Sequence, residues 1–106
     1  MFLQAVLVRN PALIETAFQL LEGRQIPPNC YLIDLEAVER NAAMLSQAAS
    51  QHSLELYFTT KQVGFNPLVA RHVHRAGIAK AIAIDAWEAH ILSQNRIPIG
   101  HLGHLV

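Results

Sequence analysis

Four apolar residues in unbroken succession, Ala81-Ile82-Ala83-Ile84, stand between two segments of helical character. So short a run, with no polar alternation, reads as a strand covered on both faces, as parallel strands are. Parallel strands need a crossover between them, and that crossover is usually a helix. The chain supplies such helices with clear punctuation. Asn10-Pro11 and Asn66-Pro67 each pair a capping side chain with a proline suited to the first helical turn. Asp85 and Glu88 have capping-box spacing, with Glu88 expected to reach back.

The rest of the chain follows the same alternation. A first helix from Pro11 carries Leu13, Ala17, Leu20 and Leu21 on one face and ends at Gly23. A connector with Pro27 and Pro28 leads to Tyr31-Leu32-Ile33, which reads as a strand. Asp34 is placed to cap a second helix that runs to about Ser50, with Leu35, Val38, Ala42, Leu45 and Ala49 as its stripe. Leu54 to Lys61 alternates as a strand, with Leu56, Phe58 and Thr60 on one face and Tyr57, Thr59 and Lys61 on the other. A loop, Gln62 to Phe65, precedes the third helix, whose buried face is Val69, Val73 and Ala76. A fourth helix continues to about Asn95, and Ile97 to Val106 reads as a last strand broken by Pro98, Gly100 and Gly103. The expected class is α/β with parallel strands. At 106 residues the chain is too short for a closed (β/α) barrel, which takes about 250.

Composition narrows the functional classes. The chain is 52% hydrophobic and 15% charged, against roughly 45–50% and about 25% in average domains. It is therefore not a disordered segment. Eight basic and eight acidic residues cancel, so no electrostatic footprint points to nucleic acid or an anionic membrane. No apolar stretch approaches the about 20 residues of a membrane span, and no signal peptide is legible. A single cysteine, Cys30, cannot form an internal disulfide and reads as a buried thiol in a reducing compartment, so a cytoplasmic address is expected. Phosphate-cradling glycine motifs are missing. The six histidines show no i, i+4 pair suited to zinc, and no metal site is assigned. Trp87 is expected to pack on its helix.

Lys61 and Lys80 are the two lysines, and Lys61 falls at the C-terminal end of its strand. That rim is where chemistry sits in open α/β sheets and in barrels. A lysine facing a barrel interior is partly desolvated, which favours its neutral amine, and a neutral amine can form a Schiff base. Thr59 would line the same interior, and His104 on the last strand is a second candidate to face it.

Three stretches, YLIDLEAVERNAAML, LYFTTKQVGFNPLVARHVHRAGI and AIAIDAWEAHIL, resemble the N-terminal barrel region of fold-type III pyridoxal-phosphate enzymes. These are the alanine racemase N-terminal domain and its relatives, among them D-threonine aldolases and D-serine dehydratases. The opening MFLQAVLVRNPALIETA is similar to the start of the YhfX-like branch. The resemblance implies a helical extension over 1–30 and an incomplete TIM-type (β/α) barrel over 31–106. It also implies that Lys61 carries pyridoxal 5'-phosphate as an internal aldimine, with Thr59 and His104 near the cofactor. Alanine racemases carry a phosphate-binding tyrosine four residues after the lysine. Here Phe65 stands there, which points away from alanine racemase itself.

Leu102 to Val106 is apolar strand sequence, so the chain is expected to be the N-terminal portion of a longer amino acid racemase or lyase, inactive by itself. The alternative is a small non-enzymatic α/β module that self-associates through an open sheet edge.

Overall fold

The computed structural model describes residues 2–103. Two compact units meet in sequence between Asp34 and Leu35.

The first unit holds two helices, α1 (Phe2–Arg9) and α2 (Pro11–Glu22). The sequence pattern marks only the second. Asn10 joins them: its N–H donates to the Val6 carbonyl at 2.7 Å, and its Oδ1 accepts from the Leu13 N–H at 3.2 Å. Pro11 takes the first helical position, and Gly23 closes α2 by donating to the Gln19 carbonyl at 2.9 Å. No residue of α2 is fully buried. Leu13, Ala17 and Leu20 are half-buried, whereas Leu21 is exposed. The strand expected at Tyr31-Leu32-Ile33 does not form. A strand exists through the ladder of a neighbour, and this unit contains no other strand among the described residues. Tyr31 is accordingly 93% exposed. Cys30, expected to be buried, is also exposed, and it follows a left-handed residue, Asn29 (φ 63°).

The second unit is an α/β layer in the order α3 (Leu35–Gln51), β1 (Tyr57–Phe58), α4 (Pro67–Arg75), β2 (Lys80–Ala83), α5 (Ala86–Gln94) and β3 (Ile99–Leu102). A 3-10 turn, Lys61–Val63, follows β1. The three strands are parallel and stand in sequential order, β1-β2-β3. Tyr57 pairs with Lys80, and Phe58 with Ala81. On the other side Ala81 pairs with Ile99 but Ile82 with His101, so Gly100 is an extra residue in the ladder. Only glycine fits there, since a Cβ on Gly100 would overlap the Tyr57 ring.

Alanine packing explains the core. Ala81 and Ala83 of β2 meet Ala70 of α4, Leu92 of α5 and the buried Ile97, with Phe58 and Ala89 packed against them. The face bearing Phe58, Ala81 and Ala83 is thus covered by helices. Alternation leaves Tyr57, Thr59, Lys80 and Ile82 on the other face. Helix α3 lies on α4 through the small buried residues Ala42 and Ala49, while Leu45, expected in its stripe, stays exposed. Ser46 of α3 donates to the Gly77 carbonyl at 3.1 Å. Gly77 has φ 113°, and a Cβ there would stand 2.6 Å from Ser46 Oγ. In α4 the buried residues are Val69 and Ala70, while Val73 and Ala76 are half-buried.

Candidate functional site

The C-terminal ends of β1 and β2 are tied together by one side chain, Glu88. Asp85 caps α5 as expected, its Oδ1 accepting from the Glu88 N–H at 2.8 Å. The Glu88 carboxylate does not return to Asp85. Its Oε2 accepts from the Ile84 N–H at 2.9 Å, just past β2. Its Oε1 accepts from the Thr60 N–H at 3.0 Å and the Thr60 hydroxyl at 2.6 Å, just past β1. Glu88 is fully buried, and no salt bridge reaches it among the described residues. Three donors therefore take the place of a counter-ion, in the first turn of a helix where negative charge is favoured.

Thr60 also sets the turn that follows. Its backbone (φ −107°, ψ 6°) leaves the extended region, so the strand stops at Phe58, short of the expected limit at Lys61, and the 3-10 turn starts. Its carbonyl accepts from the Val63 and Phe65 N–H groups, each at 3.0 Å. Gly64 (φ 64°) and Phe65 (φ 58°) are both left-handed. For a bulky aromatic residue that conformation costs on the order of 1–3 kcal/mol, and such residues cluster at functional sites.

Lys61 is the first residue of this turn, at the C-terminal rim of the sheet. Its side chain lies in an exposed residue, so the desolvated lysine expected from a barrel interior is not what this structure presents. Thr59, two residues earlier, has a buried Oγ1 with no hydrogen-bond partner among the described residues. Lys61 and Thr59 are thus brought to one rim. His104 lies outside the described residues.

The opposite, N-terminal end of the sheet carries a separate polar group. Lys80 Nζ donates to Glu55 Oε1 at 2.7 Å and stands 5.9 Å from the Tyr57 ring centre. The Tyr57 hydroxyl donates to Glu55 Oε2 at 2.8 Å. Hydrogen bonds from Lys80 and then Tyr57 hold the Glu55 carboxyl below its ordinary 4.5. The bond to Glu55 likewise raises Lys80 above 10.5 and Tyr57 above 10.0. The sign for Glu55 is that of a lowered acid. Its contribution to stability is present above pH 4.5 and is lost as pH falls through the lowered value. The Lys80 contribution is present below 10.5 and is lost as pH rises through the raised value. A carbon-detected NMR titration of Glu55 should give a midpoint below the ordinary one, and Lys80→Met should move it upward. An identical midpoint in both chains would contradict the pairing.

The remaining candidates do not join the rim. His72 Nδ1 meets Glu39 Oε2 at 3.0 Å, and His74 Nδ1 meets the Ala79 carbonyl at 3.0 Å. Among the described residues, no three histidine, cysteine or acidic side chains stand together as a metal group. Trp87, expected to be packed, is 64% exposed and stacks on His90 one turn away. A hollow lined by Ser46, Ser50, Leu54, Glu55, Gly77 and Ala79 opens at the end of the strands opposite Lys61.

Glu88 was not legible as a site residue, because capping-box spacing accounts for it locally. One signal was available: it lies four residues before Leu92 and so shares the buried face of α5.

The chain is 36% identical, over all 106 of its residues, to the uncharacterized protein YhfX of Escherichia coli (strain K12). It spans 27% of that protein's length. No protein-family model matches the chain. No solved structure matches it. Among the described residues no helix is long and apolar enough to cross a membrane.

Proposed function

We propose that the chain is the lysine-bearing N-terminal part of a pyridoxal-phosphate-dependent enzyme acting on an amino acid, a racemase or lyase. The three parallel strands would then be opening strands of a (β/α) barrel. Two features support the barrel reading. The strands stand in sequential order, without the reversal that marks an open doubly wound sheet. The helices that contribute to the core cover the face of Phe58, Ala81 and Ala83, as an outer ring would.

The observation that carries the functional reading is the position of Lys61. It stands three residues past the end of β1, on a turn anchored by Thr60 and bent by two consecutive left-handed residues. The residues present fit the cofactor at two points. Lys61 offers an exposed amine at the rim. Thr59 offers a buried hydroxyl that lacks a partner. Lys61 would hold the cofactor through Nζ, and Thr59 Oγ1 would donate to it or accept from it. When bound, pyridoxal phosphate supplies an electron-withdrawing ring for chemistry at an amino acid Cα. Lys61 Nζ would also be the group on this chain to give or take a proton at the substrate Cα. Phe65 has no hydroxyl to offer a phosphate.

Lys80 provides an internal control, because its ammonium is engaged by Glu55 at the other end of the sheet. Titration with pyridoxal phosphate should produce a visible absorbance band in the parent chain and little in Lys61→Arg. Equal bands in the two chains would remove the role assigned to Lys61.

A further inference from the structure

We infer that Glu88 is a positioning residue for Lys61, acting through Thr60. The inference rests on the reading of Lys61 as the cofactor-bearing lysine and adds to it a residue from a different helix. Glu88 is 28 residues from Thr60 in sequence, yet one of its carboxylate oxygens takes both the N–H and the hydroxyl of Thr60. The other takes the N–H of Ile84. The ends of β1 and β2 are therefore fixed to one rigid group at the start of α5. Thr60 is the residue immediately before Lys61, and its carbonyl holds Val63 and Phe65. All of its polar groups are thus committed, its donors to Glu88 and its acceptor to the turn. The direction in which the main chain leaves β1, and with it the base of the Lys61 side chain, is set by this arrangement. The apolar faces of the neighbourhood do not require a carboxylate. Leu92, one turn on, shows that an aliphatic side chain fills the same face.

Burial of a carboxylate among neutral donors is costly unless every oxygen is used. Here both oxygens are used, and each bond goes to the rim rather than to the helix's own cap. A residue needed only to cap α5 would bond Asp85, as a capping box does.

Glu88→Gln removes one acceptor and turns an amide donor toward an N–H group. Since that variant risks unfolding, Thr60→Val is the main comparison. It keeps the shape of the side chain and removes one donor to Glu88, while Thr60→Ser keeps the donor. Each folded chain is treated with pyridoxal 5'-phosphate and borohydride, and the adducts at Lys61 and Lys80 are counted by peptide mass spectrometry. Backbone hydrogen exchange at Val63 and Phe65 is measured beside that of Leu92. In Thr60→Val the Lys61 to Lys80 ratio should fall on the order of tenfold, and exchange at Val63 and Phe65 should rise by a similar factor while Leu92 is unchanged. Thr60→Ser should restore both. An unfolded chain would instead raise exchange everywhere, Leu92 included, and Glu88→Gln is then read against Thr60→Ser alone. A parent-like ratio with parent-like exchange in Thr60→Val overturns the positioning role alone. Absence of any Lys61 excess in the parent chain overturns the assignment of Lys61, and this role with it.

Discussion

Glu88→Leu should lower the stability of the second unit by about 2–4 kcal/mol, read as a fall in the urea midpoint followed by circular dichroism. The substitution strands the Thr60 N–H, the Thr60 hydroxyl and the Ile84 N–H, which the carboxylate satisfies. A buried donor left without a partner costs about 1–3 kcal/mol. Three such losses would exceed the estimate, but two terms offset part of the sum. The hydroxyl is free to rotate, and removing a buried carboxylate recovers its desolvation cost. A unit of this size has on the order of 5 kcal/mol in total, so the variant should keep only about 1–3 kcal/mol and unfold at a clearly lower temperature than the parent. An unchanged or higher midpoint would mean that the carboxylate is held at the expense of stability.

Leu92→Ala should cost a similar amount, about 2–5 kcal/mol, for a different reason. Leu92 is 1% exposed and belongs to the cluster with Ala70, Ala81, Ala83 and Ile97. Three of those four neighbours are alanines, which have no side-chain freedom to collapse into the space. The cavity term should therefore be near its full value. The two variants separate in their local effects. Leu92→Ala should leave the Thr60 bonds intact and keep the Lys61 turn protected from exchange at temperatures where the chain is folded. Glu88→Leu should expose that turn first. A loss below about 1 kcal/mol for Leu92→Ala would show that α5 can settle onto β2, against the close packing of the alanine faces.

The helix starts were the most legible part of the fold, since Asn10, Asn66 and Asp85 each accept the N–H bonds that their side chains suggest. The run at Ala81 was legible as a strand from its unbroken apolar character, and β2 begins one residue earlier, at Lys80; full burial is confined to the face of Ala81 and Ala83, while Lys80 and Ile82 on the other face are half-buried. Two elements were not legible. Helix α1 is apolar nearly all round, so no 3.6-residue period marks it. The pattern of Tyr31-Leu32-Ile33 is that of a strand, but a strand depends on a partner that local sequence does not encode. In β1 the alternation holds for Tyr57 and Phe58, and the paired length is two residues rather than eight, because Thr60 turns the chain and Leu54 to Leu56 form no ladder with a neighbouring strand among the described residues. Lys61 could be placed at a strand end from its position alone. Glu88 could not, because its partner Thr60 is reached only through the tertiary fold.

The site assignment stands or falls on one peptide map. The parent chain is equilibrated with pyridoxal 5'-phosphate, reduced with borohydride, digested and sequenced by mass spectrometry. With Lys61 at the open rim and Lys80 held by Glu55, the phosphopyridoxyl group should be recovered on Lys61 in clear excess over Lys80 and the N-terminal amine. Recovery on Lys80 at a level equal to or above that on Lys61 would contradict it.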